Sequence, residues 1–164
     1  MRSILKVNWD SNLPIYAISQ SELQKKGIHS LLLDVDGTLV NRKSNMIPKA
    51  VKNWIIESKK LFSLYLISNN PSKKRIATIA KELNLRYKYN ASKPRKKITL
   101  SAIKEIGIDT EKIAIIGDRI FTDIIVGNRC NIKTILVKRL NKDGLPIKFN
   151  LTLTIEKLIS RFLK

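Results

Sequence analysis

The sequence is poor in the residue types that build disulfides and zinc sites. Cys130 is the only cysteine and His29 the only histidine among 164 residues. A single cysteine excludes an intramolecular disulfide, and a single histidine excludes a histidine-rich zinc site. One cysteine also gives no indication of the redox compartment in which the protein works.

Long apolar segments are also missing. No apolar run reaches the ~18 residues that a membrane-spanning helix needs. The first residues lack the apolar core and the small-residue cleavage site of a secretory signal peptide. These absences predict a cytoplasmic protein, with peripheral contact to a membrane left open.

Acidic residues are scarce. Aspartate and glutamate number 13 against 32 lysines and arginines, which gives a formal net charge of +19. Such a charge favours anionic partners: nucleic acid, an anionic membrane surface or phosphorylated small molecules. The abundance of lysine, isoleucine and asparagine could equally reflect AT-rich coding. Aromatic residues make up only 6% of the chain, which leaves few platforms for stacking on bases. A basic nucleic-acid-binding domain without turnover is therefore the disfavoured alternative.

The pattern of apolar residues predicts one α/β domain spanning residues 1–164. Short apolar runs alternate along the chain with segments of helical periodicity. This alternation predicts a doubly wound, Rossmann-like parallel sheet of about five strands with helices on both faces. The predicted strands are 30–35, 62–68, 87–90, 113–117 and 132–137, and the predicted helices are 15–26, 49–61, 73–84, 95–106, 120–129 and 152–163.

The last predicted helix, about 152–163, is amphipathic. One face carries the apolar side chains Ile155, Leu158, Ile159, Phe162 and Leu163, and the basic residues Lys157, Arg161 and Lys164 lie elsewhere. We expect the apolar face to pack against the sheet. Lying on a membrane surface is the alternative.

Polar side chains that could act in catalysis or bind a metal follow the predicted strands. Because ligands of a doubly wound sheet bind outside the carboxyl ends of its strands, we expect these side chains to converge on one crevice. They are Asp34 and Asp36 after the first strand, Ser68 after the second, Lys93 in the turn "ASKP", and Asp118 with Asp123 after the fourth.

The order of these residues resembles the haloacid dehalogenase-like (HAD) phosphohydrolases. "DVDGT" is similar to the first motif of that family, DxDx[TV], and Ser68 in "LISNN" to the second. Lys93 matches the third motif, and "GDRIFTD" matches the fourth, GDxxxxD. The resemblance covers the motif-bearing core, residues 28–139.

The resemblance implies a role for each site residue in a Mg²⁺-dependent phosphomonoester hydrolase. Asp34 would be the nucleophile that forms an aspartyl-phosphate, and Asp36 the general acid and base. Mg²⁺ would be held by the side chains of Asp34 and Asp118 and by the backbone carbonyl of Asp36. The remaining roles are phosphate binding by Ser68, Asn69 and Lys93, and orientation of Lys93 or of a metal-bound water by Asp123.

The spacing of the motifs leaves no room for a sizeable cap domain, so the site should be open and suited to a large substrate. Within the family, "GIHSLLLDVDGTLV", "LISNN" and "IGDRIFTDIIVGNR" resemble the capless IIIA-type group that includes phosphatidylglycerophosphate phosphatases. This likeness implies dephosphorylation of phosphatidylglycerophosphate to phosphatidylglycerol at an anionic membrane. A soluble phosphometabolite or a phosphoprotein is the alternative substrate, and the oligomeric state stays open.

Overall fold

The computed structural model describes residues 4–162, and the side chains of residues 4–160. Six parallel strands form one sheet in the order β1-β6-β5-β2-β3-β4. The predicted doubly wound parallel sheet is thereby confirmed. Its strands are β1 (Trp9–Asp10), β2 (Ser30–Leu33), β3 (Ser63–Ile67), β4 (Arg86–Lys88), β5 (Ile113–Gly117) and β6 (Lys133–Leu136).

Helices cover both faces of the sheet. They are α1 (Gln20–Lys25), α2 (Lys49–Lys59), α3 (Lys73–Leu83), α4 (Lys97–Ile106), α5 (Ile125–Arg129) and α6 (Leu151–Phe162). Successive side chains of a strand point to opposite faces. Leu31 and Leu33 accordingly pack in one core cluster with residues of α2 and α3, whereas Leu32 packs in another with residues of α4 and α5. Burial on both faces explains why consecutive residues of β2, Leu31 to Leu33, are all apolar.

One observed strand was not predicted, and two predicted helices differ from the observed ones. The sheet has six strands because the two residues of β1 pair with β6, and so short a strand leaves no periodic pattern to detect. The helix expected at 15–26 is a 3₁₀ turn, Ile15–Ala17, followed by α1. Ser19 separates the two, because its hydroxyl accepts the Glu22 N–H and caps α1. The helix expected at 120–129 begins as a π-helical turn, Ile120–Ile124, before α5.

The connections that could carry a cap domain are short. Between β2 and β3 the chain forms only α2 and its loops, and between β3 and α4 only α3 and the edge strand β4. The carboxyl edge of the sheet is therefore left open. Within residues 4–162, none of the helices has the length and apolar character needed to cross a bilayer.

The orientation of α6 corrects the sequence prediction. Ile155, Leu158 and Ile159 were expected to pack against the sheet, but they are 46%, 53% and 37% exposed. Glu156 faces inward instead and is only 2% exposed. The side chains of Arg161, Phe162, Leu163 and Lys164, which entered the same prediction, lie outside the described residues.

Candidate active site

The carboxyl edge of the sheet brings the predicted residues together. In the register of the sheet, Leu33 of β2 lies opposite both Leu66 of β3 and Ile116 of β5. The residues that follow these strands therefore emerge side by side. All seven predicted site residues line one cavity of about 260 Å³, namely Asp34, Asp36, Ser68, Asn69, Lys93, Asp118 and Asp123.

A larger cavity of about 530 Å³ lies elsewhere, beside the amino-terminal part of the sheet. Its lining includes Trp9, Lys26, Glu111 and Lys133. The ammonium of Lys26 stacks on the ring of Trp9 at 4.9 Å, and the ammonium of Lys133 bonds the carbonyl of Lys26. The acidic cluster is in the smaller cavity, so we place the chemistry there.

Lys93 is the electrostatic centre of the site. Its Nζ donates to Asp34 Oδ1 and to Asp123 Oδ1, both at 2.6 Å, and to the carbonyl of Ile67 at 3.0 Å. Its side chain is only 1% exposed. Burial lowers the pKa of this ammonium, but the carboxylates of Asp123 and Asp34 outweigh burial and hold the pKa above its ordinary range. Lys93 is therefore a permanent cation between two acids.

Asp34 is held at both oxygens. Oδ1 accepts from Lys93, and Oδ2 accepts from the hydroxyl of Thr38 at 3.0 Å. Burial raises the pKa of this carboxyl to about 7, although Lys93 opposes the increase. The neighbouring charges of Asp123 and Asp118 add to the increase. Asp34 is thus fixed in one orientation. Further positive charge nearby would stabilise its ionised form.

Asp118 has one free buried oxygen. Its Oδ2 accepts from Arg139 Nε at 2.5 Å. Its Oδ1 is buried and has no hydrogen-bond partner in the described part of the chain. Burial raises the pKa of this carboxyl to about 6, helped by Asp123 and opposed by Arg139. A buried oxygen without a partner is costly, so it points to a missing ligand at this position.

The chemistry of these donors fits a magnesium ion. Carboxylate oxygens of Asp34, Asp118 and Asp123 lie within 4.8 Å of one another, and hard oxygen donors are the ligands that Mg²⁺ prefers. Asp34 and Asp118 were predicted as ligands, whereas Asp123 was not. Both oxygens of Asp123 already accept hydrogen bonds, from Lys93 and from the backbone N–H of Arg119. Both oxygens of Asp34 also accept hydrogen bonds, so Oδ1 of Asp118 is the only oxygen of these three carboxylates without a partner among the described residues.

The side chain of Asp36 points away from this cluster. Its Oδ1 pairs with Arg75 Nη2 at 2.7 Å, and its Oδ2 accepts from Asn70 Nδ2 at 2.9 Å. Both partners of the ion pair are 13% exposed. This arrangement leaves only the backbone carbonyl of Asp36 for a metal. Its carboxyl group lies at the wall of the cavity, apart from the carboxylates of Asp34, Asp118 and Asp123.

Ser68 and Asn69 differ in what they offer a ligand. Ser68 Oγ accepts from the backbone N–H of Asn70 at 3.1 Å, which leaves the hydroxyl hydrogen for another acceptor. The Asn69 amide instead binds the backbone of Lys93 at both ends: Nδ2 donates to its carbonyl at 2.8 Å, and Oδ1 accepts its N–H at 2.7 Å. The amide of Asn69 therefore holds the Lys93 turn in place.

Two glycines allow close packing in the site. A Cβ on Gly117 would lie 2.3 Å from the carboxyl carbon of Asp123. Gly37 has a φ of +96°, and a Cβ there would lie 2.8 Å from Asp118 Oδ2. Both distances are far below van der Waals contact. Gly37 therefore allows the first motif to approach the fourth, and Gly117 allows Asp123 to pack against the start of its own motif.

Several residues at the site were missed in the sequence. Arg75 and Arg139 pair with predicted site residues, and Arg42 and Arg119 line the cavity. Arg119 lies within the quoted fourth motif, at a position that the motif leaves variable. The other three arginines belong to no recognisable motif, and only the high net charge gave a general indication of them. Thr38 lies within the quoted first motif, so its contact with Asp34 could have been anticipated.

Comparisons with known proteins agree with this site. A family model described as HAD-hydrolase-like matches residues 90–144, which include Lys93, Asp118 and Asp123. "Probable phosphatase YqeG" from Bacillus subtilis (strain 168) is 29% identical over 138 residues, which cover 83% of this chain and 80% of that protein.

Two solved structures share the fold. One is an uncharacterized protein from Listeria monocytogenes serotype 4b, with a TM-score of 0.57 and 19% identity, covering 77% of this chain and 86% of that one. The other is hypothetical protein XCC2798 from Xanthomonas campestris, with a TM-score of 0.53 and 12% identity, covering 82% and 75%. The family match over residues 90–144, the four motifs in order and the parallel sheet make the chain similar to the hydrolases of the HAD superfamily.

Proposed function

We propose that this protein is a Mg²⁺-dependent phosphomonoesterase that forms an aspartyl-phosphate on Asp34. The observation that carries the proposal is the cluster of Asp34, Asp118 and Asp123 around the buried ammonium of Lys93. Similarity to a HAD-hydrolase-like family model supports a phosphatase, as does the name of the B. subtilis relative. The assignment of individual roles is our own proposal.

In the first step, a carboxylate oxygen of Asp34 attacks the phosphorus, and the bond from phosphorus to the leaving oxygen breaks. Asp36 gives a proton to that oxygen, so an alcohol departs. In the second step, Asp36 takes a proton from a water that attacks the phosphorus, and the Asp34 carboxylate is released. The Arg75 and Asn70 contacts hold Asp36 for both transfers, because they fix its carboxyl at the cavity wall.

Positive charge must surround the transferred group, since an anionic nucleophile attacks an anionic ester. Lys93 supplies one permanent charge, and the hydroxyl of Ser68 can donate to a phosphoryl oxygen. Bound Mg²⁺, held by Asp34, Asp118 and the Asp36 carbonyl, would supply further charge and neutralise the phosphoryl oxygens. We assign Asn69 a positioning role, with any phosphate contact coming from its backbone N–H.

The Asp34→Asn variant tests the catalytic assignment. The amide preserves the size of the side chain but cannot act as the nucleophile, so turnover of p-nitrophenyl phosphate should fall to near background. Circular dichroism and thermal unfolding should show an intact fold. Full turnover by a folded Asp34→Asn protein would refute the assignment.

We further propose that the substrate is phosphatidylglycerophosphate, reached peripherally from the cytoplasm. The open edge of the sheet suits a substrate whose bulk stays outside the cavity. Arg42, Arg119 and Arg139 line the cavity in addition to Lys93, which favours a substrate with negative charge beyond the transferred phosphate. This lipid carries a phosphodiester one glycerol away from its phosphomonoester, so it supplies such a charge.

Hydrolysis rates on several substrates test the lipid assignment. Phosphatidylglycerophosphate in vesicles should be hydrolysed with a higher kcat/KM than glycerol phosphate or p-nitrophenyl phosphate. Arg42→Gln should lower kcat/KM for the lipid more than for p-nitrophenyl phosphate, which has no second anionic group. A higher kcat/KM for the soluble esters, unaffected by Arg42→Gln, would favour a soluble phosphometabolite instead.

A further inference from the structure

Helix α6 turns its apolar face to solvent. The side chains at i, i+4, i+7 and i+8 from its first residue share one face, and all of them are 37–61% exposed. These side chains, which we call the outer face of α6, are Leu151, Ile155, Leu158 and Ile159. An amphipathic helix that packs on a core normally has the opposite orientation.

Polar contacts on the other side of the helix fix this orientation. Glu156 accepts the backbone N–H of Ile120 at 2.7 Å and the guanidinium of Arg119 at 3.3 Å. Lys157 pairs with Asp10 at 2.6 Å. Rotating the helix so that the outer face pointed inward would bury apolar surface, but it would break each of these bonds. The buried N–H of Ile120 would then have no hydrogen-bond partner.

Apolar packing agrees with these polar contacts. Leu153 packs against the cluster of Ile120, Ile124 and Leu136, on the side of the helix that carries Glu156. The exposure of the outer face therefore follows from the packing of α6 on the protein. It leaves a row of aliphatic side chains available to something outside the chain.

Two more exposed apolar residues precede α6 in the chain, and the inward side of the helix contacts a residue of the catalytic cavity. Leu145 and Phe149, in the segment that leads into α6, are 58% and 69% exposed. Arg119, which holds Glu156, also lines the catalytic cavity. Arg119 thus connects α6 to the catalytic cavity through Glu156, on the side of the helix opposite the outer face.

The charge around this helix indicates an anionic partner. Residues 138–160 carry the cations Lys138, Arg139, Lys142, Lys148 and Lys157 against the acids Asp143 and Glu156. Glu156 is buried, and Arg139 and Lys157 are paired with Asp118 and Asp10. Lys138, Lys142 and Lys148 are therefore the cations that can face a partner, against the single acid Asp143. Exposed aliphatic side chains with neighbouring cations are the signature of a helix that lies in a membrane interface.

We propose that the outer face of α6, with Leu145 and Phe149, binds an anionic lipid surface. The biological role of this surface rests on the proposed lipid phosphatase function. Binding itself needs no turnover, so it can be measured separately. If the unaltered protein failed to bind vesicles but kept its phosphatase activity, the surface would be refuted and the catalytic proposal would stand.

The test is co-sedimentation of the full chain with vesicles made of equal parts phosphatidylglycerol and phosphatidylcholine. The protein should bind these vesicles, bind pure phosphatidylcholine far less, and dissociate as salt is raised. Leu158→Glu should weaken binding at least about ten-fold, and Leu158→Gln should weaken it to a lesser extent because it removes apolar surface without adding charge.

Ile56→Glu is the matched control, because Ile56 of α2 is 55% exposed and Leu158 is 53% exposed. This control should bind vesicles nearly as well as the unaltered protein. All variants should hydrolyse p-nitrophenyl phosphate at the unaltered rate, which shows that the fold is intact. The proposal is overturned if the unaltered protein does not bind, if Ile56→Glu loses binding equally, or if sedimentation equilibrium shows a dimer that Leu158→Glu dissociates.

Discussion

Replacing Lys93 with methionine should strongly destabilise the protein. The ammonium of Lys93 makes three short hydrogen bonds, two of them to buried carboxylates of Asp34 and Asp123. Methionine preserves the length of the side chain but removes the charge and all three bonds. Two buried acids then face each other without their counterion.

The size of the effect follows from burial. Removing one partner of a buried ion pair costs about 3–5 kcal/mol, because the other charge stays desolvated and unpaired. For a chain of this length, such a loss lowers the melting temperature by about 6–20 °C. The Lys52–Glu82 pair provides the contrast, with side chains 42% and 39% exposed. Its loss in Lys52→Met should cost ~0–1 kcal/mol.

Urea unfolding in the presence of a chelator measures both variants. Lys93→Met should lose several times more free energy of unfolding than Lys52→Met. The loss should shrink as the pH is lowered, because protonation of Asp34, whose pKa burial raises to about 7, removes its repulsion with Asp123. Added Mg²⁺ should restore part of the loss, since it neutralises the same carboxylates. Equal losses in the two variants, independent of pH, would refute the reasoning.

Three further predictions concern catalysis and metal binding. Asp36→Asn should lower kcat by about 10²–10⁴ for an alkyl phosphate and by less for p-nitrophenyl phosphate, which needs no protonation to depart; equal losses would argue against Asp36 as the proton donor. Arg139→Gln should tighten Mg²⁺ binding in calorimetry, because it frees Asp118 from its ion pair; an unchanged affinity would show that Arg139 does not compete with the metal. Burial raises the pKa of Asp34 to about 7 and that of Asp118 to about 6. Mg²⁺ binds the deprotonated carboxylates, so its affinity should fall as the pH is lowered from about 8 to about 5, and a constant affinity over that range would contradict these shifts.

The sequence was sufficient to predict the main framework of the fold and the neighbourhood of the site residues. Asp34, Ser68 and Asp118 each follow a buried apolar run, and parallel strands end at one edge of the sheet. Their convergence on one cavity therefore follows from local pattern and topology alone. The burial of β2 on both faces could also be predicted, because three consecutive leucines place apolar side chains on both sides of the strand.

The arginine contacts could not be predicted in this way. Arg75 reaches Asp36 from α3, and Arg139 reaches Asp118 from beyond β6. Each contact depends on the reach of a long side chain across the cavity, for which the sequence carries no periodic signal. These arginines also resemble any others in a chain with 32 basic residues.

The orientation of α6 shows the limit of hydrophobic periodicity. Periodicity indicates that a helix has an apolar face, but it does not determine the direction in which that face points. Here the decisive contact joins Glu156 to the N–H of Ile120, 36 residues away in sequence. A buried hydrogen bond to a distant backbone group becomes visible only in the folded chain.

The stereochemical course at phosphorus tests the covalent role of Asp34 most directly. A phosphomonoester made chiral with oxygen isotopes would be hydrolysed, and the configuration of the transferred phosphoryl group determined by trapping it on an acceptor alcohol. Attack by Asp34 followed by attack of the acceptor inverts the phosphorus twice, so the product should retain its configuration. Inversion would show one direct displacement and would contradict the aspartyl-phosphate.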